Sequence, residues 1–170
     1  MAAMTDTTLT PSRLWKRMTA EQRLAAAHAL WRDDEAKDDQ AQAAALIAQQ
    51  LKFRVKTVNR LDDDRKARYF AAVPGLPDTL AARALILYHL AEQRPMMGAF
   101  LDALGIAHDN GLIHEEAVAP DAAKIPAAAA AIGRQYPAHD VAIYLSTLLF
   151  QDPAAWGPLR DVPEISKEAT

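Results

Sequence analysis

Apolar positions recur along this chain at intervals of three and four residues nearly from end to end, the spacing that lines one face of an α-helix. Thr19 followed by Gln22 reads as a capping box. It opens a stretch over residues 19–31 in which Leu24, Ala27, His28 and Trp31 share a stripe. A polar, acidic break over residues 32–39 precedes a second helix at 40–51, with Ala44, Ile47, Ala48 and Leu51 on one face. Asp33, Asp34, Asp38 and Asp39 stand ahead of it, where carboxylates cap free N–H groups and complement the helix dipole. Val55, Val58 and Leu61 mark a third helix and residues 64–72 a fourth. Val73-Pro74-Gly75-Leu76-Pro77 then interrupts the pattern, since two prolines around a glycine cannot continue a helix.

Asp78 is placed to cap the next helix, residues 79–93, which is apolar nearly all round and therefore expected to be central and buried. Pro95 suits the first turn of a following helix that carries Met96, Met97, Phe100, Leu101 and Leu104 and ends on Gly105. The two make an αα-hairpin over residues 78–105. His108-Asp109-Asn110-Gly111 is turn chemistry, with Leu112 and Ile113 pinning the loop to the core. An alanine-rich helix begins near Pro126 and ends near Tyr136-Pro137. A last one, residues 139–150, aligns Val141, Tyr144, Leu145 and Leu148 and closes at Asp152-Pro153. Sustained two-residue alternation and fixed-period repeats are absent. The pattern predicts an all-α fold, a single compact bundle of about seven or eight helices forming one domain over residues 1–170. Residues 11–72 form its basic N-terminal unit, 78–158 its acidic hairpin and C-terminal helices, and 1–10 and 160–170 are expected to be flexible.

Composition narrows the chemistry. With no cysteine among 170 residues, disulfides, thiolate zinc sites, iron–sulfur clusters and cysteine nucleophiles are excluded. The N-terminus carries no basic-then-apolar leader and no run approaches the roughly 18 apolar residues of a membrane span, so a cytoplasmic protein is expected. Neither a phosphate-cradling glycine loop nor a Gly-x-Ser-x-Gly elbow occurs, which disfavours nucleotide-driven and serine-hydrolase chemistry. Charge is uneven: residues 1–68 hold 13 Lys/Arg against 10 Asp/Glu, and the remainder 6 against 12. Lys52, Arg54, Lys56 and Arg60 stand without an acidic neighbour until Asp62, Asp63 and Asp64.

That basic stretch lies in the most specific local pattern, residues 47–61, Ile-Ala-Gln-Gln-Leu-Lys-Phe-Arg-Val-Lys-Thr-Val-Asn-Arg-Leu. It resembles the helix-turn-helix of LuxR-type bacterial regulators. The resemblance implies that Ala48 lets a second helix cross closely while Ile47, Leu51, Phe53, Val58 and Leu61 pack the pair. Arg54, Lys56, Thr57, Asn59 and Arg60 would then face the major groove and phosphates of duplex DNA. Lys52 stands where such motifs commonly have the turn glycine. Two ordinary core helices fit the same residues.

A second cluster is His108, Asp109, His114, Glu115 and Glu116, imidazole and carboxylate groups suited to zinc, manganese or iron. It lacks the His-x-x-x-His and Glu-x-x-His spacings that put two ligands on one helical face. His89, beside Tyr88 in the most apolar helix, is either a satisfied core histidine or a pocket residue, and burial would lower its pKa unless a carboxylate answers it. Arg94, Met96 and Met97 are candidates for a contact groove, and Trp156 for a bundle plug or an interface residue. No catalytic residue and no cofactor are expected. The leading expectation is a non-enzymatic helical protein acting through protein–protein contacts as a regulator or adaptor, with an unknown partner or a second copy. Duplex-DNA binding through residues 47–61 is the alternative, and a small-molecule or metal-binding bundle or small enzyme around His89 and residues 108–116 the third.

Overall fold

The structure, a computed structural model, describes residues 9–113 and 119–166. Among them the chain forms ten α-helices: α1 (Pro11–Arg17), α2 (Ala20–Arg32), α3 (Lys37–Leu51), α4 (Val55–Asn59), α5 (Asp63–Ala71), α6 (Asp78–Glu92), α7 (Arg94–Leu104), α8 (Ile125–Gln135), α9 (Ala138–Gln151) and α10 (Pro163–Ser166). A two-stranded hairpin, β1 (His108–Asp109) and β2 (Leu112–Ile113), follows α7, and a 3-10 turn at Gly157–Asp161 precedes α10. The all-α bundle expected from the sequence is what the chain forms, and none of these helices is long and apolar enough to cross a membrane.

Local chemistry explains most boundaries. At α2 the capping box is complete: Gln22 N–H donates to Thr19 Oγ1 at 3.1 Å and Thr19 N–H donates to Gln22 Oε1 at 2.9 Å. Gly105 ends α7 with φ of 70°, a left-handed conformation that costs glycine little. Asp78, expected to cap α6, is instead its first residue, and its carboxylate accepts from the Ser12 N–H at 3.0 Å, fastening α1 to α6. Helix α3 begins three residues ahead of expectation, so Asp38 and Asp39 sit inside its first turn, where the dipole still favours them.

Two buried hydrophobic clusters form the core. The first joins α1, α2, α3, α5 and α6 around Trp15, Trp31 and Phe70, both tryptophan rings lying 5.5 Å from the Phe70 ring. The second joins α7 to α10 around Phe100, Tyr144 and Trp156. Helix α9 belongs to both, Ile143 facing the first cluster and Val141, Tyr144, Leu145 and Leu148 the second. Val73 and Leu76 are buried in the first cluster, so the Pro-Gly-Pro segment is a packed corner leading into α6. Residues 160–166, expected to fray, are instead held by α10 and by the buried side chains of Leu159 and Val162. Residues 1–8 and 167–170 lie outside the described residues.

Residues 108–113, read as a turn, form a hairpin whose two-residue loop has positive φ at both Asn110 (48°) and Gly111 (88°), the torsions of a type I′ turn. The hairpin presses on α7 so closely that a Cβ on Gly111 would stand 2.8 Å from the Met97 Cβ. Gly105 has comparable torsion but nothing within 4 Å of the same position. Urea unfolding of Gly105→Ala is therefore expected to show a loss of about 1 kcal/mol from backbone strain alone. Gly111→Ala should lose about 2 to 4 kcal/mol, because overpacking is added to that strain. Equal losses in the two variants would show that the hairpin does not pack as described.

Candidate functional site

Among the described residues, two places that bring chemistry-bearing side chains together are a basic corner and a buried histidine. The first is the corner between α3 and α4. Lys52 closes α3 in the left-handed region (φ 56°), taking the conformation a glycine would usually supply, and the Phe53 N–H donates to Ala48 O at 2.9 Å in the manner of a Schellman cap. Arg54 N-caps α4, a helix of five residues whose single buried member is Val58.

Ile47, Ala48 and Val58 are buried as the helix-turn-helix resemblance implies, but Phe53 is not. The reversal at Lys52 turns it outward, 43% exposed, beside Val55 at 44%. Arg54, Lys56, Thr57, Asn59 and Arg60 are all exposed, as is Lys52. Among the described residues none of the four cations from Lys52 to Arg60 has an ion pair. The next cations along the chain each have one: Arg65 with Asp62 at 3.7 Å, Lys66 with Asp63 at 3.9 Å and Arg68 with Asp64 at 2.9 Å.

The second place is His89 on α6, almost wholly buried, with its ring 5.1 Å from that of Tyr88 and 5.5 Å from that of Tyr144 on α9. Nδ1 lies 2.7 Å from Leu85 O, and since a carbonyl can only accept, Nδ1 carries the proton and donates. Nε2 is then an unprotonated acceptor, buried and without a partner among the described residues. Desolvation pushes the imidazole pKa down to about 4 against the opposing hydrogen bond to the Leu85 carbonyl, and among the described residues no carboxylate answers the ring. Burial likewise raises the Tyr144 phenol above its ordinary range.

The remaining sequence candidates divide. His108 spends both ring nitrogens within the protein: Nε2 pairs with Asp102 Oδ1 at 2.7 Å, and Nδ1 accepts from the Gly111 N–H at 3.0 Å. The imidazole thus clamps the hairpin to α7 and has no lone pair left for a metal. Asp109 lies on β1, while His114, Glu115 and Glu116 lie outside the described residues. Among the described residues no three His, Asp or Glu side chains are placed to hold a metal ion.

Met96, Met97 and Trp156 do not offer a contact surface. All three are buried in the second cluster, with Trp156 against the Phe100 ring at 5.9 Å, so helical spacing there meant core. Arg94 is a brace: its Nε donates to Leu90 O at 2.8 Å and its Nη1 to Asn110 O at 3.0 Å. What sequence reasoning missed was the outward Phe53, for which the one available signal was a non-glycine residue at the α3 reversal.

Fold and site together define an all-α bundle with an unanswered basic corner and a buried, half-satisfied histidine. No family model matches the chain, and neither does any curated protein or solved structure.

The His89 shift has a consequence for stability. Folded, the ring gives up its proton near pH 4; unfolded, near 6.5. Between those values the unfolded chain binds the extra proton, so the neutral ring carries no penalty above about pH 6.5 and stability is lost as pH falls from there toward 4. Urea titrations at pH 7 and pH 4.5 should show wild type losing roughly 2 to 3 kcal/mol more than His89→Leu. Matching losses would mean that the ring is not held neutral by burial.

Proposed function

We propose that this chain is a non-enzymatic interaction protein that docks an acidic, partly apolar segment of a partner protein on the corner at residues 52–60. The observation that carries this reading is the contrast within one stretch of chain. Arg65, Lys66 and Arg68 are each answered by a carboxylate three or four residues away, while Lys52, Arg54, Lys56 and Arg60 are left without one and interleaved with exposed Phe53 and Val55.

Exposed ion pairs contribute about 0 to 1 kcal/mol each, so charge alone would give selectivity and speed of encounter more than affinity. Burying a phenylalanine supplies about 1.5 to 3 kcal/mol, which makes Phe53 the anchor and the cations the selector. Fixed backbone at the Lys52 reversal and the buried Val58 keep the ordering cost of such a surface low.

Duplex DNA is the second reading, favoured by exposure of Arg54, Lys56, Thr57, Asn59 and Arg60. Against it stand the length of α4, about 7.5 Å for five residues, and the carboxylates of Asp62, Asp63 and Asp64 just beyond it, which repel phosphate.

Fluorescence anisotropy separates the two. A labelled twelve-residue Glu/Leu peptide and a 20-base-pair duplex are titrated with the full chain at 50 and 200 mM NaCl. The peptide should bind, more weakly at high salt; Phe53→Ala should weaken it about five- to tenfold, and Lys56→Glu with Arg60→Glu should abolish it, with thermal unfolding unchanged. Duplex binding with a steep salt dependence, lost in the charge-reversal variant while the peptide stays free, would replace the reading with the DNA one. If neither probe binds, both fail.

A further inference from the structure

Where α6, α9 and the β1–β2 hairpin meet, a cavity of about 150 Å³ is lined on α6 by Ile86, His89 and Leu90 and on α9 by Tyr144, Thr147 and Leu148. Met97 of α7, Gly111, Leu112 and Ile113 of the hairpin region and Gln151 complete its wall. Among the described residues no Asp, Glu, Lys or Arg lines it. We infer that this cavity is a binding site for a small, uncharged, largely apolar molecule of about one ring that carries a single O–H or N–H, which it donates to His89 Nε2.

Two buried polar atoms of the cavity residues are left as acceptors, beside the Tyr144 hydroxyl and the Gln151 amide. His89 Nδ1 is committed to Leu85 O, so Nε2 offers only a lone pair. The Thr147 hydroxyl donates to Ile143 O at 2.8 Å, so its oxygen too is left as an acceptor. The two buried acceptors, His89 Nε2 and the Thr147 oxygen, favour a ligand that brings a donor. An isolated charge is disfavoured, because it would lose its hydration and meet no opposite charge among the described lining residues. Size sets the other limit, for a dry apolar cavity of about 150 Å³ admits a benzene-sized ring.

His89 also stands where a histidine is costly to keep. It occupies an otherwise apolar stretch of α6, its neighbours are aromatic rings, and an unpaired buried acceptor is disfavoured. Ile86 and Leu90 lie one turn before it and next to it on the same helix, half-buried at the cavity edge, which gives a route from the surface.

The test uses the full chain and three probes of nearly equal size: phenol, which carries a donor, and toluene and anisole, which do not. Calorimetric titration is paired with a long-range proton–nitrogen spectrum of the histidine rings. Phenol should bind at least about tenfold more tightly than toluene or anisole, the increment of one good hydrogen bond, and should shift the His89 Nε2 resonance. His89→Leu should erase the preference while toluene still enters. Ile86→Phe, made at the half-buried edge so that folding is spared, should narrow the cavity and weaken all three probes. Equal affinity for phenol and toluene in the wild-type protein would overturn the inference. So would no binding by phenol at millimolar concentration with Nε2 unshifted, the result expected if the cavity holds only water. Should His89→Leu not fold, the wild-type phenol preference, the Nε2 shift and Ile86→Phe still decide.

Discussion

Everything in this bundle depends on the seam where α9 lies against α6. Eight consecutive residues of α9, from Val141 to Leu148, are buried, a condition no surface helix can satisfy because half of them would face water. The fold meets it by giving the helix two cores, Ile143 entering one and Val141, Tyr144, Leu145 and Leu148 the other. A run of ring contacts crosses the seam from Tyr88 to His89 to Tyr144 to Phe100 to Trp156, with centroid separations of 5.1 to 5.9 Å. Aromatic pairs at these separations contribute about 0.5 to 1.5 kcal/mol beyond their buried area. They join α6, α9, α7 and the residue that leads into the 3-10 turn through side chains far apart in sequence. His89 is the one ring in that run with a ring nitrogen free to accept a hydrogen bond.

Charge is organised by a different rule on the outside. The acidic break between α2 and α3 is answered at a distance: Arg83 of α6 approaches Asp33 at 3.6 Å and Asp39 at 3.4 Å, while the Gln40 side chain donates to Leu30 O and Asp33 O. The carboxylates that open α5 are answered within one turn by Arg65, Lys66 and Arg68. The four cations of the α3–α4 corner, next in sequence to that answered row, stand without a carboxylate. Their nearest acidic neighbours in sequence, Asp62, Asp63 and Asp64, are already taken. The left-handed backbone at Lys52 is what turns Phe53 into their midst, so the apolar and basic parts of that surface share one structural cause.

How much of this could be read beforehand follows from how local each cause is. The Thr19–Gln22 capping box, the Gly105 stop and the buried character of α6 depend on residues within a turn or two of one another, and each took the expected form. Helix α1 has too few turns in seven residues for a periodic pattern, although Thr10 before Pro11 is a start signal. The hairpin's strands have two residues each, too short to show alternation, and its one signal, Asn-Gly, fits a plain turn equally well. Asp78 shows the limit most clearly, since a carboxylate at a helix start caps by default, and only the arrival of Ser12 from 66 positions away redirected it. The downward shift of the His89 pKa followed from its apolar neighbours in sequence. The cavity did not, because α9 and the hairpin supply most of its wall.

The seam also bears on why a histidine occupies position 89 at all. A leucine there would complete the apolar surface of α6, leave no acceptor unpaired and remove the acid sensitivity that neutral burial imposes. Stability therefore argues for replacing His89, and so does the ordinary preference of cores for residues without polar atoms. The ring is nevertheless held in one tautomer by Leu85 O and flanked by Tyr88 and Tyr144, which fix its orientation beside the cavity. A side chain that lowers stability, yet is oriented and kept dry by three neighbours, has the features of one retained for what it contacts. The bare cations at the α3–α4 corner pose the same problem in weaker form, because exposure already satisfies them by hydration. Of the two places, the buried one therefore makes the stronger demand for a partner outside the chain.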